Sequence, residues 1–284
     1  MLFELAIADA YSQQWNDLTQ EFILKHNDLS SYSINTDDEE TPGYYTGVTQ
    51  LNIAIAKMLV LGHPWVKEFL ANSFVTIFKR NPRLGYPDRF NRLLSQVSNG
   101  NELINTIDPY SSRGNCVIRA IPLGILSTPE RVIKATIAQT AITNNNPDDI
   151  YGSIAISLMS HYFIHRLGKK ELLKDFLDIY LPTQWLRGEK KHVTNNPSLI
   201  TSASAINAAI EHHSLSKLLK SCIEVDNIRG NNVDRVAAIA VAAASCSDEY
   251  EQDLPHSLID NLETTIYGQN YLIELDRQLI ALKN

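Results

Sequence analysis

The chain has 284 residues, of which 44% are hydrophobic and 20% charged, with a formal net charge of -7. These are ordinary globular proportions and exclude a disordered chain or a disulfide scaffold. The acidic balance, with no basic block anywhere, excludes a nucleic-acid backbone as partner.

Apolar residues recurring near every 3.6 positions predict helices over Phe3 to Leu24, Thr49 to Gly62, Val66 to Phe78, Asp88 to Val97 and Pro129 to Thr140. The same pattern continues over Asp148 to His165, Lys170 to Tyr180, Ser202 to His212, Leu215 to Ile223, Asp234 to Ser245 and Gln269 to Leu282. Start signals support several of them: Thr128-Pro129-Glu130 and Asn146-Pro147-Asp148-Asp149 each set a capping side chain before proline and early acids. Strand patterning with period 2 is nearly absent, and no repeat or low-complexity tract appears, so the expected fold is all-α, a single multi-helix domain over residues 1–284.

Cys116, Cys222 and Cys246 are odd in number and lack CxxC spacing. They predict buried thiols in a reducing compartment, hence a cytoplasmic location. The start MLFELAIADAY has no cationic region, and no apolar run reaches the roughly 20 residues that span a bilayer, so no membrane association is expected.

Three segments between helices carry specific polar residues: Tyr44 to Gln50, Ser112 to Leu126 and Asp226 to Val236. Polar loops feeding buried helices are where function tends to sit. Together with Ala8-Asp9-Ala10-Tyr11-Ser12, the runs GYYTGVTQ (43–50), RGNCVIRAIPLGIL (113–126) and GNNVDRVAAIA (230–240) resemble, in order and spacing, the landmarks of the ADP-ribosylglycohydrolase family. TNNNPDDIYGSIAISLMSHYFI (143–164) is similar to a further family helix, with Asn144 where that helix often has histidine. The resemblance covers most of the chain and implies the family's all-α fold.

It also implies a chemistry that the residues here do not supply. The family holds paired magnesium ions between a Thr-Asp-Asp-Thr run and an Asp-x-Asp-Thr run, and two adjacent hard cations need several carboxylate oxygens. Of the four acidic ligand positions, two are Gly47 and Val48, one is Asn232, and only Asp234 stays acidic. Arg235 replaces the last threonine with a permanent cation. The family's early glutamate is aligned with Asn16, an amide that cannot serve as a general base. No magnesium and no other cofactor is therefore expected, unless the acidic run Asp37-Asp38-Glu39-Glu40 folds back over the vacated site instead of lying on the surface.

What the resemblance leaves is a polar cleft. Asp234 and Asp9 are its candidate catalytic acids, and Thr46, Thr49, Gly114, Asn115, Arg119, Asn232 and Arg235 its candidate ligand contacts. Each has a plainer alternative. Asp9 reads also as an ordinary buried aspartate satisfied by backbone donors, and Arg119 as a structural residue bonding helix-end carbonyls. Arg235 either faces away or sets its cation in the place of a lost metal. His161 and His165, one helical turn apart, lack an acidic partner that completes a metal set, and Cys116 has no flanking nucleophile motif. Two functions follow: a pseudoenzyme binding an ADP-ribose-like molecule or a protein partner, or a metal-independent enzyme acting on an ADP-ribosyl or other substrate.

Overall fold

A computed structural model of the chain describes residues 1–16, 18–33, 43–110, 116–182, 186, 195–224 and 233–283. Among these, α-helices run over Leu2–Ser12 (α1), Gln20–His26 (α2), Gly47–Val60 (α3), Lys67–Arg80 (α4), Asp88–Gln96 (α5), Gly100–Thr106 (α6) and Pro129–Thr140 (α7). They continue with Pro147–Ile164 (α8), Leu173–Asp178 (α9), Pro197–Glu211 (α10), Leu215–Glu224 (α11), Val233–Ala244 (α12), His256–Asp260 (α13) and Gln269–Ile280 (α14). Two isolated bridges, Gly43 to Leu262 and Ser214 to Glu251, are the only extended pairing among the described residues.

The helix starts follow capping chemistry. Thr46, Thr128 and Asn146 each turn a side-chain oxygen onto a first-turn amide of α3, α7 and α8, and Pro129 and Pro147 open the latter two helices. Asn196 and Pro197 do the same for α10, which therefore begins before the predicted Ser202.

The predicted Phe3–Leu24 helix is a correction. It is broken into α1, a 3-10 turn over Gln13–Trp15, an extended Asn16 and then α2. Ser12 Oγ bonds back to the Ala8 carbonyl, and Trp15 turns into the core at 3% exposure, so polar side chains compete with the backbone ladder although the apolar spacing continues. The predicted Lys170–Tyr180 helix likewise divides into a 3-10 turn and the short α9.

Helix α12 is built almost wholly of alanine and valine, and every residue in it but Arg235 is buried. Small side chains let α1 lie closely along it, the most extensive helix pair in the fold. Around this pair stand α10, α11 and α8, with α7 outside α8, while α3 and α4 close the other side. One apolar cluster runs from Met1 to Leu279. No described helix is long and apolar enough to cross a membrane. This architecture sets the C-terminal end of α1 beside the N-terminal ends of α3 and α12.

Candidate functional site

Asp9 projects from α1 with no exposed surface and holds the start of α3. Its carboxylate accepts from the Thr46 amide (2.8 Å) and hydroxyl (2.7 Å), and from the Thr49 amide (3.1 Å) and hydroxyl (2.6 Å). A carboxylate at a helix N-terminus satisfies amides that the helix cannot pair itself, and the helix dipole favours it. Burial nevertheless pushes the Asp9 pKa up to about 6, the four hydrogen bonds pulling against that rise and nearby Asp234 adding to it.

The rest of the α3 N-terminus is closed as well. The Gly47 amide donates to the Leu84 carbonyl at 2.8 Å, and the Val48 amide to Thr46 Oγ1 at 3.1 Å. Where a side chain at position 47 would begin, the ring of Tyr86 already stands: a Cβ there would lie 2.6 Å from it. The Tyr86 hydroxyl is fixed at 2.8 Å to Gln50 Oε1, and Gln50 in turn donates to the Asn81 carbonyl. Gly85, at φ +83°, makes the turn that brings this ring in, and a Cβ on it would strike the Thr46 side chain. Sequence reasoning missed Tyr86. The only local signal is the Gly85-Tyr86-Pro87 run, a turn with an aromatic at its centre.

Asp234 opens α12 at 6% exposure, and burial raises its pKa, with the Arg235 cation, backbone amides and the Asn16 side chain opposing. Its Oδ1 meets no hydrogen-bond donor among the described residues. Ser12, one turn after Asp9, reaches the Asp234 backbone carbonyl at 3.4 Å. The structure therefore gathers Asp9, Thr46, Thr49, Asp234, Asn16 and a half-buried Arg235 around one place. Gly114, Asn115 and Asn232, and the run Asp37 to Glu40, lie outside the described residues.

Arg119 is a correction. Its guanidinium has no exposed surface; it donates to Gln139 Oε1, to the Gln139 carbonyl (3.0 Å) and to Thr143 Oγ1 (2.7 Å), and lies 4.7 Å from the centre of the Phe74 ring. Of its two alternatives, bonding the end of a helix is the one the geometry shows, and burial lowers its pKa to about 10. Cys116 is fully buried, its thiol pushed up by burial and so held neutral. His161 turns its Nδ1 to the Gly124 carbonyl at 3.0 Å, with the His165 ring tilted at 44° and 4.3 Å away.

The family's magnesium pair does not fit the described residues. Position 48 offers valine, a side chain at position 47 would strike the Tyr86 ring, and Asp234 is one carboxylate where several are needed. Among the described residues no group of three or more His, Cys, Asp or Glu side chains is placed to hold a metal ion.

A family model described as ADP-ribosylglycohydrolase matches residues 1–281. A solved structure titled "ADP-ribosylglycohydrolase-related protein complex" superposes with a TM-score of 0.66 at 15% identity, covering 99% of this chain and 95% of that one, a likeness of fold. No curated protein matches the chain in sequence.

Proposed function

The chain belongs to the ADP-ribosylglycohydrolase family, and from that premise we propose that it binds without hydrolysing: a pseudoenzyme whose cleft takes a nucleotide-like ligand in place of the magnesium centre. The observation that carries this is the Tyr86 ring in the side-chain space of position 47. A metal site that had merely lost its ligands would leave room for them. Here the room is taken.

Asp234 Oδ1, buried and without a donor among the described residues, supports a ligand that brings its own hydrogen-bond donors, such as the ribose hydroxyls of ADP-ribose. Arg235, beside it, suits the anionic part of the same molecule. A protein partner on this cleft is the other occupant the reading allows. No magnesium takes part in either case. Three unpaired cysteines, two of them buried, support the cytoplasm as the place of action.

One observation favours a second reading, a metal-independent enzyme. Burial raises the pKa of Asp9, to about 6, and of Asp234 as well, and a carboxyl raised toward neutrality suits general acid–base work.

Calorimetric titration with ADP-ribose, with and without magnesium, followed by an assay for ADP-ribose release from modified protein, separates the readings. Metal-independent binding without release is the expected result, weakened at least tenfold by Asp234→Asn. Release without metal makes the chain an enzyme; magnesium-dependent binding with release overturns both readings.

A further inference from the structure

Apart from the cleft, a groove of about 530 Å³ lies between the residues preceding α3, the turn after α4 and the loop after α13. That is the volume of a small-molecule site. Its floor carries two guanidinium groups in different states. Arg83 is saturated: Nη1 and Nη2 meet the two oxygens of Glu263 at 2.6 and 2.8 Å. Glu263 has no exposed surface and also accepts from Thr265 Oγ1 at 2.6 Å. The Arg83 plane lies 4.2 Å from the Tyr45 ring centre. This pair is neutral and rigid.

Arg80 is not saturated. It lies 3.7 Å from the centre of the Tyr267 ring and 5.1 Å from that of Tyr271, and Nη1 donates to the Tyr271 hydroxyl at 3.2 Å. No carboxylate stands within 4 Å of it among the described residues, and its Nε has no acceptor. A guanidinium held against two rings, half-buried and left without an anion among the described residues, is pre-organised for one. Two cations against one carboxylate leave the floor with a single positive charge. Above it the exposed side chains are apolar or aromatic: Tyr44 at 49% exposure, Leu84 at 82% and Ile266 at 81%.

We propose that this groove is a binding site for a small aromatic oxyanion, its carboxylate or phosphoryl group pairing with Arg80 and its ring covered by Tyr44, Leu84 and Ile266. The site stands on its own residues and does not depend on what the Asp9–Asp234 cleft binds. Carboxylate and phosphoryl groups share the chemistry a guanidinium recognises, and the neutral amide isostere of benzoate lacks it.

The test titrates the full chain with benzoate, phenyl phosphate and neutral benzamide, followed by saturation-transfer NMR and calorimetry. At least one anion is expected to bind at least tenfold more tightly than benzamide, and the tighter anion identifies the carrier of the charge. Arg80→Gln is expected to weaken that binding at least tenfold. Tyr44→Ala, at an exposed ring, is expected to weaken it several-fold with an unchanged melting temperature. Should Arg80→Gln fail to fold, the benzoate-to-benzamide ratio and Tyr44→Ala decide the matter. Equal binding of benzamide, unchanged binding by Arg80→Gln, or no binding of either anion up to about 10 mM would overturn the proposal.

Discussion

At Asp9 burial and hydrogen bonding act in opposite directions, and burial wins, lifting the pKa from 3.8 to about 6. The folded state then holds a proton more firmly than the unfolded chain. Between those two values it binds more protons, so this carboxyl's contribution to stability is highest at low pH, falls as pH rises through about 4 to 6, and is level above that. The span is on the order of 3 kcal/mol. Carbon-13 NMR of the Asp9 carboxyl should show a midpoint near 6, and a midpoint at the ordinary aspartate value would contradict the arrangement. Thr49→Val removes one donor from this buried carboxylate; a loss of about 1–3 kcal/mol in urea unfolding is expected, with the Asp9 midpoint moving higher still. Position 47 offers a cleaner contrast. Gly47→Ala should cost about 1–3 kcal/mol because the Tyr86 ring must move, and a smaller side chain at 86 should absorb that cost. In a double-mutant cycle with Tyr86→Ala the two changes should therefore be less than additive; strict additivity would mean the ring does not occupy the space. The sequence shows Gly47, Val48 and Asn232 where the family resemblance expects acids. The ring that fills the gap was not legible there, since it arrives from a turn far along the chain and through contacts that no periodicity encodes.

Among the elements, those with strong periodicity and a cap were legible: α7 and α8 begin at the prolines behind Thr128 and Asn146. The stretch from Phe3 was not, because its apolar residues continue at roughly helical intervals while Ser12 and Asn16 break the backbone ladder. That break matters for the site. It lets Asn16 turn back toward Asp234, where an unbroken helix would carry it past. The short α6 and α13 offer too few apolar positions for a period to show. Arg119 ties the 3-10 turn over Val117–Arg119 to the end of α7, and the sequence left its role open between ligand and helix end. Arg119→Lys keeps the charge but loses the planar fork. It should destabilise the fold by about 2 kcal/mol or more, with amide exchange accelerating at the end of α7, while ADP-ribose affinity measured on the folded fraction stays at the wild-type value. A selective loss of affinity without loss of stability would return Arg119 to the cleft.

For the molecule as a whole, the fold was legible because its landmarks are apolar frameworks around short polar runs, and burial keeps such frameworks even where the polar residues change. Function does not travel with them. Helices α1, α3 and α12 still meet beside Asp9, where Thr46 and Thr49 bond its carboxylate and the Tyr86 ring stands against position 47. A protein that held structural magnesium would lose stability when the metal is stripped. Here chelation with EDTA should shift the melting temperature by less than about 1 °C. The most direct test of the closed metal site is titration of the purified chain with manganese(II), a spectroscopic stand-in for magnesium, followed by electron paramagnetic resonance. The free-ion signal should grow in proportion to added manganese from the first addition, with and without ADP-ribose. Stoichiometric loss of that signal, one or two ions per chain, would show that the cleft still holds the family's metals.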